Sequence, residues 1–285
     1  MLPPLATTIA EVRRAVTAAR AAGKRVGFVP TMGALHAGHA ALIRAARAEA
    51  EFVVVSIFVN PTQFGPNEDY SRYPRTLDAD RELCAAVGTD VIFHPTPDVM
   101  YPAGTRTVVQ VTGLQDVLDG PSRPEHFKGV ATVVLKLFNI VQPDVAVFGQ
   151  KDAQQALIIR RMAADLDLPL TVRVHPTVRE SDGLAMSSRN RYLDPTQRQN
   201  ATCLVRALRT AEALVGGGER SVAALEAAMT AVIVPTTGAR VDYVRILSAD
   251  LLEPMEVLDR PALAAVAVFF GLTRLIDNVT LLPPH

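Results

Sequence analysis

Short apolar runs that alternate with amphipathic stretches organise the first 175 residues of the chain. Residues 52–59, FVVVSIFV, form a continuous apolar run, which is typical of a strand covered on both faces of a parallel sheet. Shorter runs predict further strands at residues 25–29, 90–94, 145–148 and 170–174. Helical spacing of apolar positions, with a capping box at Thr8 and Glu11, predicts helices at residues 8–22, 40–50, 76–87, 127–142 and 153–166. This alternation predicts an α/β fold with a doubly wound parallel, Rossmann-like sheet.

The pattern changes after Pro195. Residues 197–215 and 221–232 have helical periodicity, and consecutive glycines separate them. Apolar runs bounded in part by prolines then predict strands at residues 241–247, 256–258, 262–270 and 272–279. We therefore expect two domains: a Rossmann-like domain over residues 1–180, and a smaller C-terminal α+β domain over residues 181–285 that acts as a lid.

The balance of charges argues against a general affinity for polyanions. The chain has 29 Lys and Arg against 29 Asp and Glu, so no overall field attracts nucleic acid or an anionic membrane surface. The longest apolar runs, residues 130–141 and 262–272, are too short to span a bilayer, and the N-terminus lacks the pattern of a secretory signal. Cys84 and Cys203 have no metal-ligand spacing. We expect a cytoplasmic protein with reduced cysteines and with neither a nucleic-acid nor a membrane partner.

The first candidate site is the segment PTMGALHAGH, residues 30–39, between a predicted strand and a predicted helix. A helix N-terminus presents unpaired N–H groups and the positive end of the helix dipole, so a phosphate is a natural occupant. Gly33 and Gly38 allow the backbone to approach it closely. His36 and His39 can donate to its oxygens. The alternative is an ordinary glycine-containing turn with one histidine at the helix N-terminus and one packed.

Polar residues also follow other predicted strands. The chain places Asn60 and Gln63 after one strand, Lys151 after another, and Ser188 with Arg189 in a later loop. Because open α/β sheets bind ligands at the carboxyl ends of their strands, we expect one crevice that holds a nucleotide. The chain has neither a P-loop nor a GxGxxG fingerprint, which argues against a P-loop kinase and a dinucleotide enzyme. Each cluster alone also fits a solvated connector or a common turn.

Several motifs together resemble those of a known family. Residues 36–39 resemble the HxGH signature of the nucleotidyltransferases related to class I aminoacyl-tRNA synthetases, and residues 186–189 stand in the place of their mobile second phosphate motif. More narrowly, the chain resembles the pantoate-beta-alanine ligase family in the motifs PTMGALHAGH, FVNPTQF, YPRT, FGQKDAQQ and GLAMSSRNRYL, in this order and spacing. The likeness extends over residues 24–193, and the smaller C-terminal part fits the family's size.

This resemblance implies a two-step reaction. (R)-Pantoate attacks the α-phosphorus of Mg-ATP to give pantoyl adenylate and pyrophosphate; β-alanine then attacks the acyl carbon, forming pantothenate and releasing AMP. The resemblance implies ATP contacts at Met32, Gly33, Ala34, Leu35, His36, Ala37, Gly38, His39, Gly149, Gln150, Lys151, Asp152, Val178, Met186, Ser187, Ser188 and Arg189. The catalytic residues expected among them are His36, His39, Lys151, Ser187, Ser188 and Arg189, with His39 the donor at the reacting phosphate.

The resemblance also assigns the second substrate site. Gln63 and Gln155 are expected to hold pantoate, with Gln63 also close to β-alanine, because carboxamides orient hydroxyls and a carboxylate. Asn60 and His126 are further substrate-binding candidates, although His126 fits equally well as a surface residue near a helix N-terminus. Small-molecule substrates are the expected partners, and family resemblance implies a homodimer.

Two positions depart from the family pattern. Gln150 stands where the family usually has Glu, which removes a charge beside Lys151. Asp78 and Asp80, separated by Ala79, leave incomplete an acidic run that some relatives have. We therefore expect no metal-ligating side chain, and Mg²⁺ held mainly by ATP oxygens and water. Two alternatives to the ligase function remain. One is a nucleotidyltransferase that acts on a phosphorylated small-molecule acceptor, and the other is a nucleotide-binding regulatory module without turnover.

Overall fold

A computed structural model describes residues 1–66 and 68–283 of the chain. The chain forms two compact units. The first comprises Met1–Gln150 and Gln154–Pro176, and the second comprises Lys151–Ala153 and Thr177–His285. The first contains a six-stranded parallel sheet and the second a three-stranded antiparallel sheet, which confirms the predicted fold class. Every helix among the described residues is too short or too polar to cross a membrane.

The parallel sheet of the first unit confirms the predicted strands and adds one at the edge. Its strands are β1 (Leu5–Ala6), β2 (Val26–Thr31), β3 (Phe52–Ile57), β4 (Val91–Phe93), β5 (Val145–Gly149) and β6 (Thr171–His175). The helices of this part of the chain are α1 (Ile9–Ala21), α2 (Ala37–Glu49), α3 (Leu77–Ala86), α4 (Pro97–Met100), α5 (Asp119–Ser122), α6 (His126–Val141) and α7 (Ala153–Asp165). Two-residue β1 was not predicted, because so short a strand carries no periodic signal.

The strand order places a topological switch point beside β2. The order is β1-β4-β3-β2-β5-β6, so the chain runs outward from β2 through β3 and β4, then returns to add β5 on the other side of β2. Phe28 of β2 pairs with Val54 on one side and with Ala146 on the other. Ligands of open α/β sheets bind outside the carboxyl ends of the strands at such a point. The segments after β2 and β5 are therefore where a site is expected.

Helix α2 begins earlier than the predicted residue 40. It runs over Ala37–Glu49 with His36 as its N-cap, so residues 37–39 belong to the first helical turn rather than to a loop. The predicted start of α2 was wrong because Ser, Thr, Asp and Asn are the usual N-cap residues, so His36 gave no signal for a helix N-terminus.

The second unit packs helices on its antiparallel sheet. The helices are α8 (Pro195–Asn200), α9 (Cys203–Gly216) and α10 (Val222–Ile233), and the strands are β7 (Ala239–Ser248), β8 (Ala262–Phe270) and β9 (Thr273–Leu281). The strands lie in the order β7-β8-β9. Leu204 and Leu208 of α9 share one fully buried cluster with Val266 and Val268 of β8. These apolar contacts form the core of this unit.

Two predicted elements of this unit were wrong. Residues 197–215 form two helices rather than one, since α8 ends at Asn200 and α9 begins at Cys203. Residues 256–258 form no strand; Val257 makes an isolated bridge to Ser221. The apolar pattern continues through the first break, and a short run next to a proline does not distinguish a strand from a bridge.

Candidate active site

The segment that joins β2 to α2, residues 30–39, is here named the histidine loop; it includes the last two residues of β2 and the first three of α2. Gly33 and Ala34 adopt left-handed backbone conformations, with φ of 85° and 50°. These conformations direct the N–H groups of Ala34 and Leu35 to the carboxylate of Asp80, at 3.0 and 2.8 Å. A Cβ at position 33 would lie 3.0 Å from Cγ2 of Ile57 and 3.1 Å from Oδ2 of Asp80. Glycine is therefore required at this position both for its φ and for the space.

The two histidines cap α2 reciprocally. His36 Nδ1 accepts from the Gly38 N–H at 3.1 Å, and His39 Nδ1 accepts from the His36 N–H at 3.3 Å. The two rings lie 4.2 Å apart between centroids. A neutral imidazole that accepts at Nδ1 carries its proton on Nε2. Both rings therefore present an Nε2–H donor at the N-terminus of a helix, where the helix dipole also favours an anion.

Gln63 brings the polar loop after β3 against the histidine loop. Its carboxamide is buried, with Nε2 donating to Met32 Sδ at 3.1 Å and Oε1 accepting from Asn60 Nδ2 at 3.2 Å. Asn60 is itself only 1% exposed. Because one Asn60 N–H fixes which end of the Gln63 carboxamide is the oxygen, the orientation of that amide is set before any substrate binds.

Tyr101 and Gly129 fix the side chain of Asn60 by hydrogen bonds. The Tyr101 hydroxyl donates to Asn60 Oδ1 at 2.9 Å, and Asn60 Nδ2 donates to the Gly129 carbonyl at 3.1 Å. Burial raises the pKa of Tyr101, so its hydroxyl remains a donor throughout the neutral range. A Cβ at position 129 would lie 2.6 Å from the Thr62 carbonyl carbon and 2.7 Å from Gln63 Cα. Only glycine allows α6 to approach this loop so closely.

His126, at the start of α6, supports the backbone of Gln63. Its Nδ1 lies 2.9 Å from the Gln63 carbonyl oxygen, which can only accept, so the neutral ring carries its proton on Nδ1. Burial, followed by the nearby charge of Arg123, lowers the pKa of His126 to about 4. The ring is therefore uncharged at neutral pH. The predicted contact of His126 with substrate stays a prediction.

Strand β5 ends at Gly149, and the next three residues of the FGQKD motif, Gln150, Lys151 and Asp152, form a 3-10 turn directly after it. Lys151 Nζ lies 3.2 Å from Asp152 Oδ1, and the lysine side chain is 20% exposed. The Gln154 carboxamide is buried and donates to the carbonyls of Leu114 and Val117 at 2.8 and 2.6 Å. The next residue, Gln155, is only partly buried. Of the two adjacent glutamines, Gln154 thus has the structural role, which leaves Gln155 as the substrate candidate.

The segment after β6, residues 178–189, is here named the phosphate loop. The Met186 N–H donates to the Val178 carbonyl at 3.0 Å, so two of the predicted ATP contacts lie side by side. Gly183 makes the tight turn between them with φ of 95°. Ser187 Oγ then accepts from the Arg189 N–H at 3.2 Å and caps a short 3-10 turn, Ser188–Tyr192. The cap explains why a serine precedes this turn.

Ion pairs surround the phosphate loop. Arg198 donates to Glu180 at 2.6 Å and to Asp182 at 2.7 Å. The hydrogen bond from Arg198 lowers the pKa of Asp182. Asn190 Nδ2 donates to the other oxygen of Glu180 at 2.7 Å. This carboxylate therefore connects the loop to the 3-10 turn that follows it.

Asp80, one of the acidic residues after YPRT, contacts the histidine loop. The Asp80 carboxylate is 2% exposed and accepts from the Thr76 hydroxyl at 3.1 Å, in addition to the two N–H groups of the histidine loop. No group of three or more His, Cys, Asp or Glu side chains with the geometry to hold a metal ion occurs within residues 1–66 and 68–283. Asp80 therefore positions backbone, and its donors do not fit a role as a magnesium ligand.

The supporting residues of the site were missed in the sequence. Asp80, Tyr101, Gly129 and Gln154 act through contacts with residues between 37 and 69 positions away, for which periodicity gives no signal. Asp80 had a partial signal, because an acidic residue in the first turn of a helix favours the helix dipole. The structure shows that this carboxylate binds backbone N–H groups of the histidine loop.

Comparisons with known proteins agree with the geometry. A family model described as Pantoate-beta-alanine ligase matches residues 4–280. A pantothenate synthetase of Moorella thermoacetica is 57% identical over 277 residues, 97% of this chain and 98% of that protein. A crystal structure of pantothenate synthetase from Thermus thermophilus matches with a TM-score of 0.94 and 47% identity, over 98% of this chain and 100% of that one. A pantoate-beta-alanine ligase from Francisella tularensis, complexed with beta-gamma ATP and beta-alanine, matches with a TM-score of 0.80 and 34% identity over 97% of each chain.

Proposed function

The chain belongs to the pantoate-beta-alanine ligase family, and we propose that the histidine loop and the buried carboxamide of Gln63 form the reacting part of its site. The protein is an enzyme that condenses pantoate with β-alanine in an ATP-dependent reaction. The observation that carries the site assignment is the reciprocal capping of His36 and His39, which places the N–H of each neutral ring on Nε2 at the start of α2. These donors lie after β2, at the switch point of the sheet.

In the first step a carboxylate oxygen of pantoate attacks the α-phosphorus of ATP. A new P–O bond forms, the bond to the β-phosphate oxygen breaks, and pyrophosphate leaves with the bonding pair. Negative charge on the α-phosphate oxygens redistributes as the bonds change, and preorganised N–H donors stabilise it. We assign this role to Nε2–H of His39, with His36 as its partner and Lys151 as a point charge on the phosphates.

In the second step the neutral amine of β-alanine attacks the acyl carbon of the pantoyl adenylate. The amide bond forms, the amine loses a proton, and AMP leaves with the electron pair of the acyl C–O bond. Gln63 and Gln155 orient pantoate for both steps. The N–H···S contact from Gln63 to Met32 is weak, so a substrate oxygen replaces that sulfur as acceptor with a net gain.

We assign Mg²⁺ to the nucleotide rather than to the protein. The ion neutralises charge on the phosphates, and Mg²⁺ commonly keeps most of its ligands as phosphate oxygens and water. The engagement of Asp80 with the histidine loop supports this assignment. A homodimer, a cytoplasmic location and a lid role for residues 181–285 are further parts of the proposal, and they rest on family membership and sequence pattern alone.

Isotope exchange between pyrophosphate and ATP tests the adenylate mechanism. Exchange is expected with pantoate and without β-alanine, and addition of β-alanine is expected to release AMP and form pantothenate. Omission of pantoate is the control. A folded protein that shows no exchange with pantoate would refute the mechanism. A stable dinucleotide product with no free AMP, formed from a phosphorylated acceptor, would instead support a nucleotidyltransferase.

A further inference from the structure

Strand β9 carries two adjacent buried polar residues that the proposed mechanism does not use. Asp277 is 1% exposed and Asn278 is 4% exposed. They interrupt a strand whose other buried positions include Leu275 and Leu281. Buried carboxylates and carboxamides are costly unless they are hydrogen-bonded, so their partners indicate why they are present.

One partner of the Asn278 side chain is the backbone of Lys151. Asn278 Nδ2 donates to the Lys151 carbonyl at 2.9 Å, across 127 positions of sequence. Lys151–Ala153 accordingly groups with the second compact unit, although β5 before it and α7 after it group almost entirely with the first. A lysine side chain has four rotatable bonds, so fixing its backbone is the most direct way for the protein to limit where the ammonium can reach.

The side-chain partner of Asp277 is Arg179, at the start of the phosphate loop, and Asp277 Oδ1 also accepts from the Asn278 N–H at 2.8 Å. Arg179 Nη1 and Nη2 donate to the two carboxylate oxygens at 2.6 and 3.1 Å, and Nη1 also donates to the Gly183 carbonyl at 3.1 Å. A bidentate, charge-assisted pair of this kind fixes orientation as well as position. Asp277 therefore holds the arginine that closes the turn between Val178 and Met186.

We propose that Asp277 and Asn278 are positioning residues for adenylate formation. Two neighbouring residues of one strand fix two separate segments to which ATP contacts are assigned, the Lys151 turn and the phosphate loop. Both segments are thereby tied to adjacent positions of one strand, β9. This inference rests on the proposed function, because it requires Lys151 to act on the phosphates of ATP.

A double-mutant cycle on pantoate-dependent pyrophosphate exchange tests the role of Asn278. Asn278→Asp keeps the size of the side chain but opposes the Lys151 carbonyl with a second oxygen, and Asn278→Ala removes the donor. Each substitution is expected to lower exchange at saturating substrates about 10- to 100-fold, the range of a misplaced catalytic group. In a Lys151→Ala background the same substitutions are expected to lower it by less than about threefold, because the group they position is already absent. Thr280→Ala, at an exposed position of the same strand, is the matched control and is expected to leave exchange unchanged.

A footprint on Lys151 gives a second readout that does not depend on turnover. ATP is expected to protect Lys151 from amine acylation in the unsubstituted protein, measured by mass spectrometry, and to protect it much less in Asn278→Asp. Circular dichroism identifies the variants that fold. If Asn278→Ala does not fold, the test uses Asn278→Asp alone. If the Lys151→Ala protein exchanges too slowly to measure, the footprint alone tests the positioning role of Asn278.

The possible failures are distinguishable. Absence of exchange in the unsubstituted protein refutes the proposed function. Exchange in the unsubstituted protein, combined with equal fold losses from Asn278→Asp in both backgrounds or with unchanged ATP protection of Lys151, refutes the positioning role alone. For Asp277, Asp277→Asn is expected to lower exchange while Lys151 remains protected by ATP, because its partner is Arg179; loss of that protection would contradict the assignment.

Discussion

The histidine loop and the phosphate loop are assigned to the same nucleotide, but they are held by different forces. The histidine loop is fixed by backbone N–H groups that donate to one buried carboxylate, Asp80. The phosphate loop is held largely by ion pairs, of which that between Arg198 and Glu180 is partly exposed, with side chains 27% and 31% accessible. The phosphate loop is also held by a buried pair, Arg179 with Asp277, so it combines one buried anchor with partly exposed ones, whereas the carboxylate that anchors the histidine loop is buried.

This difference predicts which loop can adapt. Hydrogen bonds to a buried carboxylate are little affected by salt, and leaving their donors unpaired costs the full desolvation of each. Exposed ion pairs contribute about 0–1 kcal/mol and are screened by salt. The histidine loop is therefore expected to be preorganised for the α-phosphate, whereas the part of the phosphate loop that Arg198 holds, at Glu180 and Asp182, can rearrange at little cost.

Two substitutions of His39 distinguish the capping role of Nδ1 from the donor role of Nε2, and they have the largest expected effect. In His39→Asn the side-chain oxygen can still accept from the His36 N–H, but the Nε2–H donor is lost, so exchange is expected to fall about 100- to 1,000-fold with the melting temperature nearly unchanged. His39→Gln keeps a donor near the Nε2 position and loses the cap, so it is expected to lose more stability and less activity. The two variants are compared by pyrophosphate exchange and thermal unfolding. Equal activity in both would show that the donor is not the acting group.

Removal of the Asp80 carboxylate tests the anchor of the histidine loop. Asp80→Ala leaves two buried N–H groups without their acceptor, and we expect the free energy of unfolding to fall by about 4 kcal/mol, about 2 for each donor. Exchange is expected to fall with it, because the capping histidines follow directly. Denaturant unfolding measures the first effect. Asp78→Asn, exposed on the same helix, is the control and is expected to cost less than about 1 kcal/mol. Similar losses in the two variants would argue against the anchor.

The sequence predicts the segments of the site better than their supports. The alternation of strand and helix places the histidine loop after β2 because local patterns determine each element. The capping role of His36 was not predicted, because a histidine does not mark a helix start. The contact from Asp80 to Ala34 joins residues 46 positions apart, and only the folded sheet brings α3 against this loop. Supports of this kind depend on tertiary packing and leave no periodic trace.

The break between α8 and α9 shows the same limit within a single element. Apolar residues continue at helical spacing through Ala201 and Cys203, both fully buried, so the pattern predicts one helix. The chain nevertheless turns at Thr202, whose N–H donates to the Gln199 carbonyl in a tighter, three-residue bond. Burial of a side chain and continuity of the backbone are separate properties, and the hydrophobic pattern reports only the first.

The pH dependence of stability tests the burial of His126, whose ring contacts the carbonyl of Gln63. Its pKa falls from 6.5 to about 4 on folding, so the unfolded chain binds the extra proton first, and stability is expected to decrease as the pH falls from about 6.5 to 4. The contribution is up to about 3 kcal/mol. His126→Asn retains a donor for the Gln63 carbonyl but does not titrate, so its unfolding free energy is expected to depend less on pH over this range. Denaturant unfolding at several pH values checks it, and identical slopes would contradict the assignment.

Substitution of Arg198 tests the partly exposed ion pairs of the phosphate loop and has the smallest expected effect. Arg198→Ala removes the ion pairs to Glu180 and Asp182, and we expect the free energy of unfolding to fall by no more than about 1 kcal/mol, since these groups are partly exposed. Exchange is expected to fall severalfold at low ionic strength, and 0.5 M salt, at roughly a 4 Å screening length, is expected to reduce the difference from the unsubstituted protein. Arg161→Ala, which removes an exposed ion pair on α7, is the control and is expected to leave exchange unchanged. A difference that salt does not narrow would show that the exposed ion pairs of Arg198 do not hold the phosphate loop.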